Sequence, residues 1–265
     1  MVMHKGLENK VAVITGASKG IGLAIAQALL DEGALVVGGA RHSTPLAQLD
    51  DDRVESVEVD LATPQGPQEL VDRALQRFGK VDVLINNVGG ADPRMGGFLS
   101  VSDEQFLETY NFNFITTVRA CRAALPPMIK QGSGSIINIS SLNARLPQPP
   151  VVDYSAAKAA VSNFTKALSE EFSPQGIRVN SISPGPVRTP LWEEEGRFGD
   201  QMANGMGVAL NDFLSQKLPE VAGMTISRMA EPEEVAAVAI LLASPQAAAI
   251  TGADFVVDCG MSKTL

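Results

Sequence analysis

A tyrosine and a lysine stand four residues apart in the stretch Y-S-A-A-K, at Tyr154 and Lys158. On a helix this spacing places both side chains on one face, one above the other. A phenol with a pKa of about 10 is a poor base at neutral pH, but a cation within about 4–6 Å lowers that pKa. The pair could therefore donate and accept a proton, although a tyrosine packed on a lysine stem is the simpler interpretation.

A glycine-rich loop, T-G-A-S-K-G-I-G, lies far upstream, between an apolar run and a helical stretch. Gly16, Gly20 and Gly22 allow a tight turn and the close approach of a phosphate to the backbone. The start of the following helix offers free N–H groups and a positive dipole end. A glycine pattern alone is weak evidence, but strand, loop and helix in this order predict a dinucleotide-binding site.

The elements that would position these residues are short β-rich runs alternating with longer helical stretches. Several runs are apolar on successive residues, as expected for strands covered on both faces. The alternation predicts one α/β domain over residues 1–265, a Rossmann-type doubly wound parallel sheet of about seven strands with helices on both faces. The predicted strands are Val11–Thr15, Leu35–Gly38, Val54–Val59, Val81–Ile85, Ser135–Ser140, Arg178–Ile182 and Asp254–Val257. The predicted helices are Ile21–Glu32, Gln68–Phe78, Asp103–Lys130, Tyr154–Phe172 and Pro232–Ala243.

One segment, Pro186 to Met229, interrupts this alternation. It contains no clear strand and mixes glycine, methionine and acidic residues. Long irregular insertions in compact domains are often lids. We therefore predict that residues 186–229 form a substrate lid.

Composition excludes several classes of function. The formal net charge of −9 would make nucleic acid or an anionic membrane repel the chain. The two cysteines, Cys121 and Cys259, are far apart and form no Cys/His cluster, so no metal site is predicted. The first ten residues lack the apolar core of a signal peptide, and the first apolar run is too short to span a bilayer. These features predict a soluble cytoplasmic protein.

The glycine spacing G-x-x-x-G-x-G resembles that of the classical short-chain dehydrogenase/reductase family, and the resemblance continues along nearly the whole chain. N-N-V-G, ending at Gly89, resembles the family's N-N-A-G, with Val88 replacing alanine. Ser141 precedes Tyr154 by the family's spacing of 13 positions, and Asn113 lies in the long helix. The closing stretch I-T-G-A-D-F-V-V-D-C-G also resembles the family's, with Cys259 where glycine is usual.

The resemblance implies that Tyr154 is the acid in carbonyl reduction and the base in alcohol oxidation. It implies that Lys158 lowers the pKa of Tyr154 and binds the nicotinamide ribose. Ser141 would donate to the developing oxyanion, and Asn113 would hold a water of a proton relay. The implied cofactor contacts are Gly16, Ser18, Lys19, Gly20, Ile21, Gly22, Arg41, Asp60, Leu61, Asn87, Gly89, Tyr154, Lys158, Pro184, Gly185, Val187 and Thr189.

The end of the second predicted strand, V-V-G-G-A-R, bears on which nicotinamide cofactor is used. NAD-preferring relatives usually place an acidic residue there, whereas this chain has Ala40 followed by Arg41. Lys19 adds a second cation in the glycine loop. Two cations without a carboxylate fit a phosphate, which arginine can bind with two hydrogen bonds. NADP(H) is therefore predicted over NAD, although both cations could equally be solvated surface charges.

The substrate is less constrained than the cofactor. Apolar residues of the 186–229 segment favour a hydrophobic ketone or secondary alcohol, with cyclic and steroid-like compounds among the candidates. The alternative is an acyl-carrier-protein reductase, a class that often carries basic docking residues where this chain has Gly132 and Gln175. The candidate substrate contacts are Leu142, Asn143, Gln148 and Trp192.

Two rival functions use the same scaffold. A non-catalytic NADP-binding sensor would keep the glycine loop and lose the tyrosine or lysine, whereas this chain has both. A dehydratase or epimerase would show no net oxidation of the cofactor. The family resemblance also implies a homotetramer, with the two long helices at the subunit interface.

Overall fold

Seven parallel strands form one sheet in the order β3-β2-β1-β4-β5-β6-β7. The computed structural model describes residues 6–42, 44–49 and 52–263; the ends of the predicted domain, 1–5 and 264–265, lie outside these. The predicted fold class is confirmed, and the predicted strand boundaries differ from the observed ones by two residues or fewer. The strands are β1 Val11–Thr15, β2 Leu35–Ala40, β3 Val54–Glu58, β4 Val83–Asn86, β5 Gly134–Ile139, β6 Ile177–Pro184 and β7 Asp254–Val257.

Helices cover both faces of the sheet, which explains why the strands are apolar on successive residues. In β1, Ala12 and Ile14 pack into the cluster that contains helices α1 and α11. Val11 and Val13 point to the opposite face and pack with α3 and α5. The helices are α1 Gly20–Asp31, α2 Thr44–Ala47, α3 Gly66–Phe78, α4 Asp103–Tyr110, α5 Thr116–Gln131, α6 Val152–Phe172, α7 Pro190–Glu193, α8 Phe198–Gly205, α9 Leu210–Asp212, α10 Leu218–Val221 and α11 Pro232–Ala243.

The predicted helix Asp103–Lys130 is not regular along its length. A capping box starts α4, where the Ser102 hydroxyl accepts from the Gln105 N–H and the Gln105 side chain accepts from the Ser102 N–H. Five residues, Asn111–Ile115, then form a π-helical turn before α5 begins. The predicted helical stretch is therefore confirmed, and an extra residue within Asn111–Ile115 interrupts its α-helical hydrogen bonding.

The 186–229 segment packs largely on itself. It contains α7 to α10 and, as predicted, no strand. A parallel bridge between Val187 and Ala230 brings its two ends together. Its hydrophobic cluster is separate from the two clusters of the sheet and consists of Ala203, Phe213, Leu214, Leu218, Met224 and Met229.

Membrane-spanning helices and metal-binding clusters are both absent from the part of the chain that the structure describes. No helix there is both long and apolar enough to cross a bilayer. No group of three or more histidine, cysteine, aspartate or glutamate side chains there could hold a metal ion.

Candidate active site

A cavity of about 1190 Å³ opens at the carboxyl edge of the sheet. It lies where the strand order reverses between β1 and β4, the position at which open α/β sheets bind ligands. The glycine loop and the ends of the strands form one wall, and the 186–229 segment forms the other. The strand ends that line it are Gly16, Ala40, Asn87, Ile139 and Pro184.

The glycine loop fits the phosphates of a dinucleotide. Gly16 and Gly20 adopt left-handed conformations, with φ of 72° and 55°. A side chain at Gly22 would place its Cβ 2.2 Å from the carbonyl oxygen of Gly16, so only glycine lets α1 pack this closely. No side chain caps the first turn of α1, so its backbone N–H groups face the cavity without a side-chain partner.

Lys158 is held rigidly beside Tyr154 on one face of α6. Its ammonium nitrogen lies 5.7 Å from the centroid of the Tyr154 ring. It donates to the carbonyl of Ile139 at 2.8 Å, so the end of β5 fixes its position. Lys158 is 3% exposed, yet both side chains contribute to the cavity wall. The arrangement can exchange a proton with a ligand in the cavity.

Burial dominates the acid–base properties of this pair. It lowers the pKa of Lys158 to about 8. It also raises the pKa of Tyr154, although a hydrogen bond with Ser141 acts in the opposite direction. The predicted lowering of the Tyr154 pKa is therefore wrong in direction. Removal from water disfavours the phenolate by more than its neighbours favour it, even though part of the ring faces the cavity.

Replacing Lys158 by methionine is expected to raise the free energy of unfolding at neutral pH. The pKa of this lysine falls from an ordinary 10.5 to about 8 on folding. Between these values the unfolded chain binds more protons, so stability rises with pH. Below this window the full penalty applies, about 1.4 kcal/mol for each unit of lowering. Methionine removes the charge, so the free energy of unfolding of the variant is expected not to rise between pH 8 and 10.5 as that of the wild type does.

Urea unfolding at several pH values across that window measures the slope. Lys166→Met is the matched control, because Lys166 lies on the same helix with a side chain that is 61% exposed. A Lys158→Met protein with the wild-type slope and stability would contradict the prediction.

Ser141 lies two residues after the end of β5 and lines the cavity. Its hydroxyl accepts from the backbone N–H of Asn143 at 3.2 Å, which starts a short turn over Leu142–Ala144. The neighbouring Ser140 hydroxyl donates to the carbonyl of Lys158 at 3.1 Å. This contact ties the end of β5 to α6, so Ser141 and Tyr154 are held at one end of the cavity.

Asn113 lies behind the cavity wall, fully buried in the π-helical turn. Its amide oxygen accepts from the N–H of Gly90 at 3.0 Å. Its amide nitrogen donates to the carbonyls of Gly90 and Thr109, each at 3.0 Å. A Cβ on the adjacent Gly89 would lie 2.8 Å from Asn113 Oδ1 and 2.9 Å from Lys158 Nζ. Asn113 thus shapes the backbone at Gly90; its part in a water relay stays a prediction.

All other predicted site residues except Gly22 line the cavity. Gly22 sits behind the loop, against Gly16 and the Asn87 amide. The candidate substrate residues are among the lining residues, and Trp192 packs edge-on against Phe198 with ring centroids 4.8 Å apart. Sequence reasoning missed several apolar lining residues, because each could equally have been core; these are Ala91, Phe112, Leu146, Val151 and Met261.

The two cations predicted to bind a phosphate differ in their surroundings. Arg41 is exposed directly after β2 and lines the cavity. Lys19 is also exposed, but its ammonium lies 3.8 Å from the carboxylate of Glu194 in the 186–229 segment. Lys19 therefore contacts the opposite wall of the cavity, which sequence reasoning did not predict.

Comparisons with known proteins agree with this architecture. The family model for short chain dehydrogenases matches residues 10–198. Glucose 1-dehydrogenase 2 of Bacillus subtilis is 34% identical over 272 residues, 98% of this chain and 97% of the relative. The 3-oxoacyl-(acyl-carrier-protein) reductase FabG of Vibrio cholerae is 32% identical over 258 residues, 96% of this chain and 98% of the relative. L-Sorbose reductase from Gluconobacter frateurii, solved with NADPH and L-sorbose, has a TM-score of 0.89 at 34% identity, covering 99% and 100% of the two chains.

The family match contains both the glycine loop and α6. The relatives align with nearly the full length of the chain and are oxidoreductases of alcohols and carbonyl compounds. The chain is therefore an oxidoreductase that belongs to the classical short-chain dehydrogenase/reductase family.

Proposed function

We propose that the protein interconverts a ketone and a secondary alcohol with NADP(H), using Tyr154 as acid and base. One observation carries this proposal: Tyr154 and the buried Lys158 open onto the same cavity as the glycine loop. The bound nicotinamide would supply or accept the hydride. The glycine loop and the first turn of α1 would hold its phosphates.

The chain's own residues would manage the proton and the charge on oxygen. In reduction Tyr154 donates its proton to the substrate oxygen, where the Ser141 hydroxyl also donates a hydrogen bond. The raised pKa of Tyr154 keeps the phenol protonated at neutral pH, ready to donate. Oxidation needs the phenolate instead, so it is favoured by alkaline conditions. The protein's resting protonation state thus favours ketone reduction at neutral pH.

The preference for NADP(H) rests on the end of β2. No carboxylate stands at Ala40, where a free ribose hydroxyl would be bound, and the exposed Arg41 follows it. L-Sorbose reductase, which shares the fold at 34% identity, binds NADPH. A guanidinium beside a phosphate forms charge-assisted hydrogen bonds worth about 1.5–3 kcal/mol.

The substrate class follows from the wall opposite the cofactor loop. Apolar side chains outnumber polar ones there, with Thr189, Glu194 and Arg197 as the polar exceptions, so most hydroxyls of a sugar would lack hydrogen-bond partners. We therefore infer a hydrophobic ketone or secondary alcohol, although two relatives are named for sugars. The 186–229 segment would act as its lid. The apolar residues of this wall are Pro186, Val187, Pro190, Leu191, Trp192, Phe198, Met202, Met206, Phe213, Leu218, Val221 and Ala222.

The function is tested by calorimetry with NADPH and NADH, followed by NADPH oxidation over a panel of ketones. We expect tighter binding of NADPH and turnover of bulky apolar ketones in preference to L-sorbose. Arg41→Ala is expected to weaken NADPH binding by about tenfold or more and to leave NADH binding unchanged. Lys130→Ala, which removes an exposed cation at the other end of the sheet, is the control. Preference for NADH would contradict the cofactor assignment.

An acyl-carrier-protein reductase is the second candidate, because relatives of that name match over nearly the whole chain. Gly132 and Gln175 argue against it. Both are exposed, and the carbonyl of Gly132 lies against Gly176, so the two positions lie close together and neither carries a charge. The cavity side is acidic as well, with Glu193, Glu194 and Glu195 exposed. Faster turnover of a 3-oxoacyl thioester on its carrier than of free ketones would reverse this ranking.

We also infer a cytoplasmic homotetramer. The outer face of α6 presents small residues, among them the exposed Ala156 and Ala159, which allow another helix to approach closely. Ala157 is fully buried within the monomer, so only part of the alanine-rich stretch is available for an interface. Light scattering that gives the mass of one 27.9 kDa chain would contradict the tetramer.

A further inference from the structure

We infer that a buried ion pair between Arg94 and Asp153 positions Tyr154 relative to Asn113 and Gly90. The inference rests on the proposed function, because it assigns these residues an effect on the same proton transfer. Neither Arg94 nor Asp153 lines the cavity, so both would act through other residues and not on the substrate.

The pair is close and buried, and both carboxylate oxygens of Asp153 accept hydrogen bonds. Asp153 is 1% exposed, and the Arg94 side chain is 15% exposed. Arg94 donates to one carboxylate oxygen of Asp153 through Nε at 2.9 Å and through a terminal nitrogen at 2.6 Å. The Thr109 hydroxyl donates to the same oxygen at 2.8 Å. The other oxygen accepts from the backbone N–H of Tyr154 at 3.0 Å.

Burial would raise the pKa of the Asp153 carboxyl, but its hydrogen bonds with Arg94 and Thr109 lower the pKa below its usual value. The carboxylate is therefore charged at neutral pH, and it holds the first turn of α6 against Arg94. Because Tyr154 is the next residue, a movement of Asp153 would move the phenol with it.

Three segments meet at this ion pair, and each carries part of the site. Arg94 belongs to the loop after β4, which includes Gly90, and its own N–H donates to the carbonyl of Pro150. Thr109 lies in the last turn of α4, and its carbonyl accepts from Asn113. Asp153 lies in the first turn of α6, directly before Tyr154. The pair thus connects the loop after β4, the π-helical turn and α6 at one point.

A second buried aspartate shows what a purely structural ion pair looks like in this fold. Asp82 is 9% exposed and lies between Lys10 and Lys80, with ammonium-to-carboxylate distances of 3.1 and 2.9 Å. It also accepts from the N–H of Val11 at 2.9 Å. This cluster lies at the amino end of β1, opposite the cavity. Asp82→Asn is therefore a matched control for Asp153→Asn.

The kinetic test compares these variants with a ketone that the wild type reduces. Asp153→Asn and Arg94→Gln are each expected to lower kcat on the order of 100-fold, the loss that a misplacement of about 1 Å can cause. KM for the ketone is expected to change much less. The double variant is expected to be no slower than either single one, because the two residues act as a unit. Asp82→Asn is expected to keep the wild-type kcat while losing thermal stability.

A spectroscopic test needs no substrate. The chain has two tyrosines, so in a Tyr110→Phe background the phenolate absorbance reports on Tyr154 alone. Asp153→Asn leaves the charge of Arg94 uncompensated and is expected to lower the Tyr154 pKa. Arg94→Gln leaves the carboxylate uncompensated and is expected to raise it. Lys158, the other charge beside Tyr154, is present in every variant, and Asp82→Asn is expected to cause no shift.

The outcomes separate this inference from the proposed function. If Asp153→Asn folds, loses as much stability as Asp82→Asn and keeps the wild-type kcat, the positioning role is overturned. A Tyr154 pKa that is unchanged in both single variants would also overturn it. If the wild type reduces no ketone, the proposed function fails and the titration alone decides the inference. If the single variants do not fold, the double variant decides, since it leaves no unpaired charge buried.

Discussion

Replacing Tyr154 by phenylalanine is expected to lower turnover by about 10²–10⁴-fold, the contribution of a positioned acid or base. Binding of NADPH is expected to be nearly unchanged, because phenylalanine keeps the ring beside Lys158 and loses only the hydroxyl. Single-turnover oxidation of NADPH with a reactive ketone measures the first effect, and calorimetry measures the second. The hydroxyl lies in the cavity wall, so its removal leaves the packing of α6 intact.

The same variant separates the rival functions. A non-catalytic NADP-binding sensor would lose nothing when Tyr154 is replaced, and its wild type would bind NADPH without oxidising it. A dehydratase or epimerase would act on its substrate with no net change in NADPH. Tyr110→Phe is the matched control, because Tyr110 lies in the last turn of α4, outside the cavity wall. Equal turnover in the two variants would contradict the role of Tyr154.

Replacing Gly22 by alanine is expected to abolish dinucleotide binding and to destabilise the protein by about 1–3 kcal/mol. An alanine inside a helix normally stabilises by about 1 kcal/mol relative to glycine, so the expected sign is opposite to helix propensity. The new Cβ would lie 2.2 Å from the Gly16 carbonyl oxygen and 2.5 Å from the Asn87 amide nitrogen. The loop must therefore shift away from the position in which Gly16 and Asn87 hold it.

Gly90→Ala is the control for this prediction. Gly90 also lines the cavity, but a Cβ there would meet only the Phe112 ring, at an ordinary 3.6 Å. Its N–H and carbonyl would keep their contacts with Asn113. Calorimetry with NADPH and thermal unfolding of both variants give the comparison. A Gly22→Ala protein that binds NADPH as well as Gly90→Ala does would show that the loop tolerates the side chain.

The fold could be predicted because strands that are buried on both faces are apolar at successive residues. The continuous apolar run of β1 requires helices above and below it, and the loop with Gly16 and Gly22 requires a strand before it and a helix after it. The π-helical turn has no comparable pattern in the sequence. The stretch N-F-N-F-I does not distinguish a π-helical from an α-helical turn. The π-helical turn shows only in the backbone, where the Thr116 N–H donates to the carbonyl of Asn111, five residues earlier.

The acid–base properties of the site were harder to predict than the residues that form it. Spacing places Lys158 beside Tyr154, but it does not show how far each is removed from water. Asp153 illustrates a second difficulty. An acidic residue in the first turn of a helix is common, because it interacts favourably with the helix dipole. Its contact with Arg94, 59 positions away, depends on tertiary packing, which local patterns do not record.

Because the two ends of the 186–229 segment lie side by side, we expect that the segment can be exchanged as one unit. The bridge between Val187 and Ala230 leaves the segment's two ends side by side, so a segment with the same end spacing could replace it without moving the elements on either side. Its own hydrophobic cluster would travel with it, while Ser141, Tyr154 and Lys158 would remain on the sheet and α6. If the segment is the substrate lid proposed above, grafting it onto another member of the family is expected to change the substrate range and leave the chemistry unchanged. Divergence within the segment would let evolution make the same change.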